Sequence, residues 1–225
     1  MERWASFDCY GTLIDWDGGV RSELARVFGD GRADGLLRRY HELEAELECD
    51  GSRTYREVLS ESMRLLGAPS GAEHCLADSL PTWRPFPDVG EALLELRRRG
   101  WRLAILTNSD DDLIAASQVR IGVPFDEVVV AQEIGSYKPA HRHWDEFFAR
   151  TRARRESHVH VAASLYHDIV PATELGLVSV WINRLGELPG DGARPRRDLA
   201  DLATLPETLD ELVPGEASGG RGVTA

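Results

Sequence analysis

Long apolar runs are missing from this chain. No stretch of about 18 apolar residues occurs in it, so no membrane-spanning helix is expected. Positive charge is scarce as well: 26 Lys and Arg stand against 38 Asp and Glu, a net charge of −12. That balance disfavours non-specific attraction to nucleic acid or to an anionic membrane, while a local cationic pocket for a small anion stays compatible with it. Cysteine is rare too. Cys9, Cys49 and Cys75 are odd in number and far apart, which argues against a disulfide framework and for a reduced, cytoplasmic setting. The opening MERWASFDCYG lacks the charged-then-apolar pattern of a secretory leader, which points the same way. Cys9 reads as a small packing residue, since neither a helix N-terminus nor a basic partner stands beside it.

What is present is enough for a core. The 225 residues are 42% apolar and 28% charged, which fits one domain with a sizeable insertion or one large and one small domain. Short apolar runs at residues 4–7, 102–106, 127–130, 158–162 and 178–182 have the β-branched character of buried strands. Helical patterns fill the gaps at 89–99, 111–120, 141–152 and 169–175, and Gly100 and Gly176 follow two of them where a left-handed residue ends a helix. Strand and helix alternate, which is the pattern of βαβ units around a parallel sheet. Residues 19–83 break that rhythm. They read as consecutive helices at 20–28, 35–48, 54–66 and 71–79, with Leu36, Leu37, Tyr40, Leu43 and Leu47 on one face. The expected organisation is therefore a discontinuous α/β core, residues 1–15 and 86–213, holding an all-helical cap, residues 16–85. The Gly/Ser-rich segment 214–225 reads as a disordered tail. No internal repeat is evident.

In an open parallel sheet, ligands gather beyond the carboxyl ends of the strands. The polar residues expected there are Asp8, Tyr10 and Thr12 in FDCYGTL, then Thr107, Asn108 and Ser109 in LTNS. Lys138 follows in YKP, and Ser164 and Asp168 in SLYHD. Singly, each is ordinary, because an Asp after a strand is often a turn residue and a lone Lys a solvated charge. Four strand ends each presenting a suitable group make a constellation. His158 and His160 lie on one strand face as metal ligands could, but no third ligand accompanies them. His167 lines the pocket or caps a helix, and Trp83, Trp101 and Trp181 read as packing residues.

Taken in order, these four motifs resemble those of the haloacid dehalogenase superfamily, over residues 5–185. The resemblance implies a Rossmann-like core with a helical cap inserted after the first motif. It makes Asp8 a nucleophile that forms a covalent aspartyl intermediate, later hydrolysed by water. Lys138 would keep Asp8 ionised and neutralise developing charge. Asp168 would orient Lys138 and the water, and Thr12 completes the catalytic set. Thr107 or Ser109, with Asn108, would bind the anionic part of the substrate. Many superfamily members are magnesium-dependent phosphatases with a second aspartate two residues after the first. Here that residue is Tyr10, whose phenol, with a reference pKa of about 10, is a poor acid–base catalyst for the purpose. The last motif carries Ser164 where phosphatases often have an acid, so magnesium, which favours carboxylate and water oxygens, is not expected as a cofactor. If bound, it would sit on Asp8 and Asp168.

Halide leaves carbon without a proton donor, and FDCYGT is similar to the first motif of the (S)-2-haloacid dehalogenases. That similarity implies a small carboxylate substrate and a 2-hydroxy acid product. It makes Arg39 in the second cap helix, with Arg38 beside it, the candidate halide acceptor, although a solvated helix charge is an equal reading. Tyr10, Ser164 and Trp144 join the substrate-binding set, Trp144 standing where a tyrosine is expected. Leu165 replaces an asparagine of the dehalogenase pattern and Ala163 a serine. The alternatives are a magnesium-dependent phosphatase, a hydrolase opening strained C–N rings beside a carboxylate (azetidine-2-carboxylate is the type), and a non-catalytic carboxylate-binding module. A homodimer accords with the resemblance.

Overall fold

The apolar runs become five neighbouring strands of one sheet: β1 (Arg3–Phe7), β2 (Trp101–Thr107), β3 (Glu127–Val130), β4 (His158–Ala162) and β5 (Val178–Ile182). This computed structural model describes residues 2–49 and 51–215. Most of the segment read as a tail, 216–225, lies outside the described residues. A sixth strand, β6 (Arg197–Leu199), pairs with β5 at the edge, and the order is β3-β2-β1-β4-β5-β6. All pairings are parallel. β6 escapes a sequence reading because it has three residues, two of them charged and exposed.

Alternation along the strands feeds two apolar layers. Ala5, Phe7, Leu103, Ile105, Val159 and Val161 face one core, which continues into the helices that follow β1. Trp4, Ala104, Leu106 and Val129 face the other, against Trp144 and Phe147.

Between β1 and the return to the sheet lie four helices, α1 (Trp16–Phe28), α2 (Asp30–Glu48), α3 (Tyr55–Leu65) and α4 (Cys75–Ser79), then a 3-10 turn over Leu80–Thr82. The stretch 71–79, read as one helix, is helical only from Cys75. α3 starts at a capping box in which Glu57 N–H donates to Thr54 Oγ1 (3.3 Å) and Thr54 N–H to Glu57 Oε2 (2.8 Å). Asp110, in the loop after β2, accepts from the amides of Tyr55 (2.8 Å) and Arg56 (2.9 Å). A buried carboxylate at a helix N-terminus satisfies two orphan donors and suits the dipole. It also ties α3 to the loop that carries the second motif.

The remaining helices are α5 (Val89–Arg98), α6 (Asp111–Ile121), α7 (Ala131–Ile134), α8 (Arg142–Thr151), α9 (Val170–Glu174) and α10 (Leu205–Leu212). Gly100 (φ 82°) and Gly176 (φ 66°) take the left-handed conformation that stops α5 and α9. A π-helical turn, Leu165–Ile169, precedes α9, and Ser164 caps it by accepting from the His167 amide. No helix among the described residues is long and apolar enough to cross a membrane.

Candidate active site

Asp8 is the first residue beyond β1, and its amide donates to the Val161 carbonyl of β4 (3.1 Å), which fixes the point where the chain leaves the sheet. The turn that follows needs a positive φ at Gly11 (85°), and its amide closes onto the Ile14 carbonyl (2.9 Å). That turn brings Thr12 back beneath Asp8. Thr12 Oγ1 donates to Asp8 Oδ2 (2.8 Å) and accepts from the Ala163 amide (2.9 Å), joining the first and last motifs.

Lys138 reaches the same place from the β3–α8 connection, with the Lys138–Pro139 peptide cis. Its ammonium is buried and donates to Asp8 Oδ1 (2.9 Å), Asp168 Oδ1 (2.7 Å) and the Leu106 carbonyl (2.9 Å). All three N–H groups are thereby spent. Asn108 sets this geometry: its Oδ1 accepts from the Lys138 amide (2.7 Å) and its Nδ2 donates to the Lys138 carbonyl (3.0 Å) and to Glu48 (3.1 Å). Asn108 is thus a positioning residue whose amide is already occupied.

Below Asp168 runs a buried chain that the sequence offered only as two histidines on one face. Asp168 is a carboxylate and can only accept, so His160 Nε2 donates to its Oδ1 (3.0 Å). His160 Nδ1 then accepts from Ser6 Oγ (2.8 Å), and Ser6 Oγ accepts from His158 Nε2 (2.7 Å). Register makes this possible, because Ser6 of β1 pairs with His160 of β4. The histidines therefore hold Asp168 in place. Among the described residues no group of three His, Cys, Asp or Glu is arranged to hold a metal ion. A resident magnesium fits poorly: Asp8 and Asp168 share one ammonium, and Ser164 is turned to His167.

Electrostatics divide the two aspartates. Burial, and then the Asp168 charge, push the Asp8 carboxyl up from its ordinary 3.8, against the pull of Lys138 and Thr12. Burial acts on Asp168 too, but the Lys138 ammonium and the His160 bond outweigh it and hold it well below the carboxylate range. Lys138 loses to burial and gains more from both aspartates, so it is raised and stays charged. Tyr10 is nearly enclosed; burial pushes its phenol up, and its hydroxyl bonds Ser117 Oγ (3.1 Å) and accepts from Ser109 Oγ (3.5 Å). Burial raises the Cys9 thiol far above its usual value, which leaves it a packing residue.

A cavity of about 530 Å³ opens over these groups, lined by Asp8, Tyr10, Thr107, Asn108, Lys138, Ser164 and Asp168 from the expected set. Four expected contacts are not brought to it. Arg39 lies exposed on α2, paired with Glu42 (2.6 Å), because it sits one position, about 100°, around the helix from the buried Tyr40. Arg38 is exposed as well. Trp144 is fully buried under the sheet, edge-on to His160 (5.2 Å between centroids). Ser109 is held back against Tyr10. Several cavity residues were not foreseen: Trp16, His41, Glu44, Glu48 and Tyr55 from the helices after β1, and Arg184 after β5. The signal for two of them was available, since Tyr40, Glu44 and Glu48 recur every four residues.

A family model of haloacid dehalogenase-like hydrolases matches residues 3–176. The chain belongs to that family. Among relatives of this hydrolase, the (S)-2-haloacid dehalogenase of Pseudomonas sp. strain YL is 29% identical over 233 residues, spanning 96% of this chain and 97% of the relative. The glyceraldehyde 3-phosphate phosphatase of Methanothermobacter thermautotrophicus is 32% identical, but over 102 residues, 44% of this chain and 45% of that one. The L-2-haloacid dehalogenase structure from Xanthobacter autotrophicus superposes with a TM-score of 0.80 at 20% identity, covering 96% of the hydrolase and all of that chain, a likeness of fold.

Proposed function

We propose that the hydrolase displaces halide from the α-carbon of a small 2-halocarboxylate through a transient ester on Asp8. The observation that carries this reading is Tyr10. A phosphate monoester needs its departing alkoxide protonated, and the group two residues after the nucleophile is a phenol whose acidity burial suppresses and whose hydroxyl is engaged with two serines. Halide needs no proton. Asp8 attacks the carbon opposite the C–X bond, the C–O bond forms, and halide leaves with the bonding electrons, inverting the centre. Water then adds to the Asp8 carboxyl carbon, and the C–O bond from that carbon to the alkyl oxygen breaks. The alkyl oxygen keeps a proton from the water, yielding a 2-hydroxy acid, and the second proton goes to solvent. Thr107, whose buried hydroxyl has no partner among the described residues, is the donor available to the substrate carboxylate. Asp168, which lines the same cavity and whose Oδ2 is buried without a partner among the described residues, orients the water.

Mass spectrometry after a single turnover of 2-chloropropanoate in H₂¹⁸O tests the route, with label expected in the Asp8 peptide together with halide release. Phosphate release from a phosphate-ester panel that EDTA abolishes, with no halide from any haloacid, would overturn it.

A further inference from the structure

The cavity wall carries more carboxylates than cations. Seven carboxylates line it, and the two fixed cations are Lys138 and Arg184. Both are committed: Lys138 to Asp8, Asp168 and a carbonyl, Arg184 to Asp88 (2.9 Å) and the Thr12 carbonyl (3.0 Å). Facing the catalytic groups from α2 are Glu44 and Glu48, one helical turn apart. Glu48 has a side chain 6% exposed, and its Oε2 accepts from Asn108 Nδ2 (3.1 Å) with His167 Nε2 at 3.6 Å. No described residue donates to its Oε1. Glu44 Oε1 accepts from the Tyr40 (3.1 Å) and Tyr55 (2.8 Å) hydroxyls. A separate observation concerns Asp168, which lines the same cavity with a side chain 1% exposed and whose Oδ2 has no partner among the described residues. Buried carboxylate oxygens left without donors are costly unless a ligand supplies them.

We propose that the hydrolase takes a carboxylate substrate that also carries a cationic nitrogen, with Glu48 as the residue that receives the nitrogen. The occupant is a zwitterion: its carboxylate lies at the Thr107 hydroxyl and its ammonium or iminium donates toward α2. This deepens the displacement reading and rests on it for the placement of the carboxylate. Burial and the Glu44 charge push the Glu48 carboxyl well above its ordinary range, and a cation in the cavity is the charge that draws it back.

The test compares two isosteric probes, 4-aminobutanoate and pentanoate, by titration calorimetry on the full chain. Neither has a leaving group, so the result is independent of whether Asp8 forms an ester, and failure of the isotope experiment leaves it intact. The ammonium is expected to tighten binding about tenfold to a hundredfold, the worth of a charge-assisted hydrogen bond. Glu48→Gln should bring the ratio close to one. Pentanoate binding as tightly as 4-aminobutanoate, no measurable binding of 4-aminobutanoate, or a ratio that survives Glu48→Gln overturns the proposal. Since the ratio in the unsubstituted protein already decides the point, a Glu48→Gln chain that fails to fold does not rescue it.

Discussion

Glu44→Gln offers a stability measurement whose size and sign follow from the cavity wall. Burial, opposed by the Tyr55 and Tyr40 hydroxyls, raises Glu44 from 4.5 to about 7. Its other neighbours are His41, which pulls the value down, and Asp17 and Glu48, which add negative charge. A carboxyl raised in the folded state keeps a proton that the unfolded chain has already released. Stability therefore falls as pH climbs from about 4.5 to about 7 and levels off above that. The displacement corresponds to about 3 kcal/mol. Glutamine retains a carbonyl oxygen for both tyrosine hydroxyls and has no charge to bury, so its stability profile lacks this slope. Urea unfolding of both proteins, from about pH 5 to about pH 8, should show the variant gaining on the wild type by about 2.5 kcal/mol across that interval. Parallel profiles would mean that Glu44 is solvated or already paired, and the account of an acid wall without counter-charge would fail with it.

Two further outcomes concern residues on opposite sides of the site argument. Lys138→Met strands Asp8 and Asp168 together without a cation; chemical unfolding near neutral pH should show a loss of about 3–5 kcal/mol. Turnover should fall by about a hundredfold or more, and activity within tenfold of wild type would detach Lys138 from the chemistry. Arg39→Ala removes an exposed side chain paired, among the described residues, with Glu42 and Glu46, so kcat and KM should stay within about twofold of wild type. A large rise in KM would return Arg39 to the substrate.

Much of this molecule was legible because its strands are buried on both faces. Parallel strands of that kind are continuous apolar runs, and five of the six stood out for that reason. β6 did not, since an edge strand of three residues is held by backbone bonds to β5 and carries no apolar signature. α10 was missed because Pro206, which reads as a breaker, sits in its first turn where proline is tolerated. In the site, motif residues one step beyond a strand converge because the sheet determines where strands end. Residues on the inserted helices depend on rotation about a helix axis, where one position is about 100°. Arg39 and Tyr40 differ by that step, and the first points to solvent while the second is buried. Asp110 went unremarked for another reason: its partners are two backbone amides 54 and 55 positions away, which no local pattern encodes.

The unequal environments of Asp8 and Asp168 carry a consequence for the proposed ester. Once Asp8 is esterified it has no charge, and a lysine paired with Asp8 alone would become an unmatched buried cation, a costly species in a dry site. Lys138 never reaches that state, because Asp168 accepts from it at 2.7 Å and is itself anchored by His160, Ser6 and His158. Before attack the three groups carry a net charge of −1; in the ester they are neutral. The displacement step thus moves the buried site toward charge balance, and the negative charge departs with the halide into the open cavity. In the proposed route Asp168 serves by staying ionised throughout, as its depressed carboxyl allows, while Asp8 lines the cavity and is the one placed to meet the substrate.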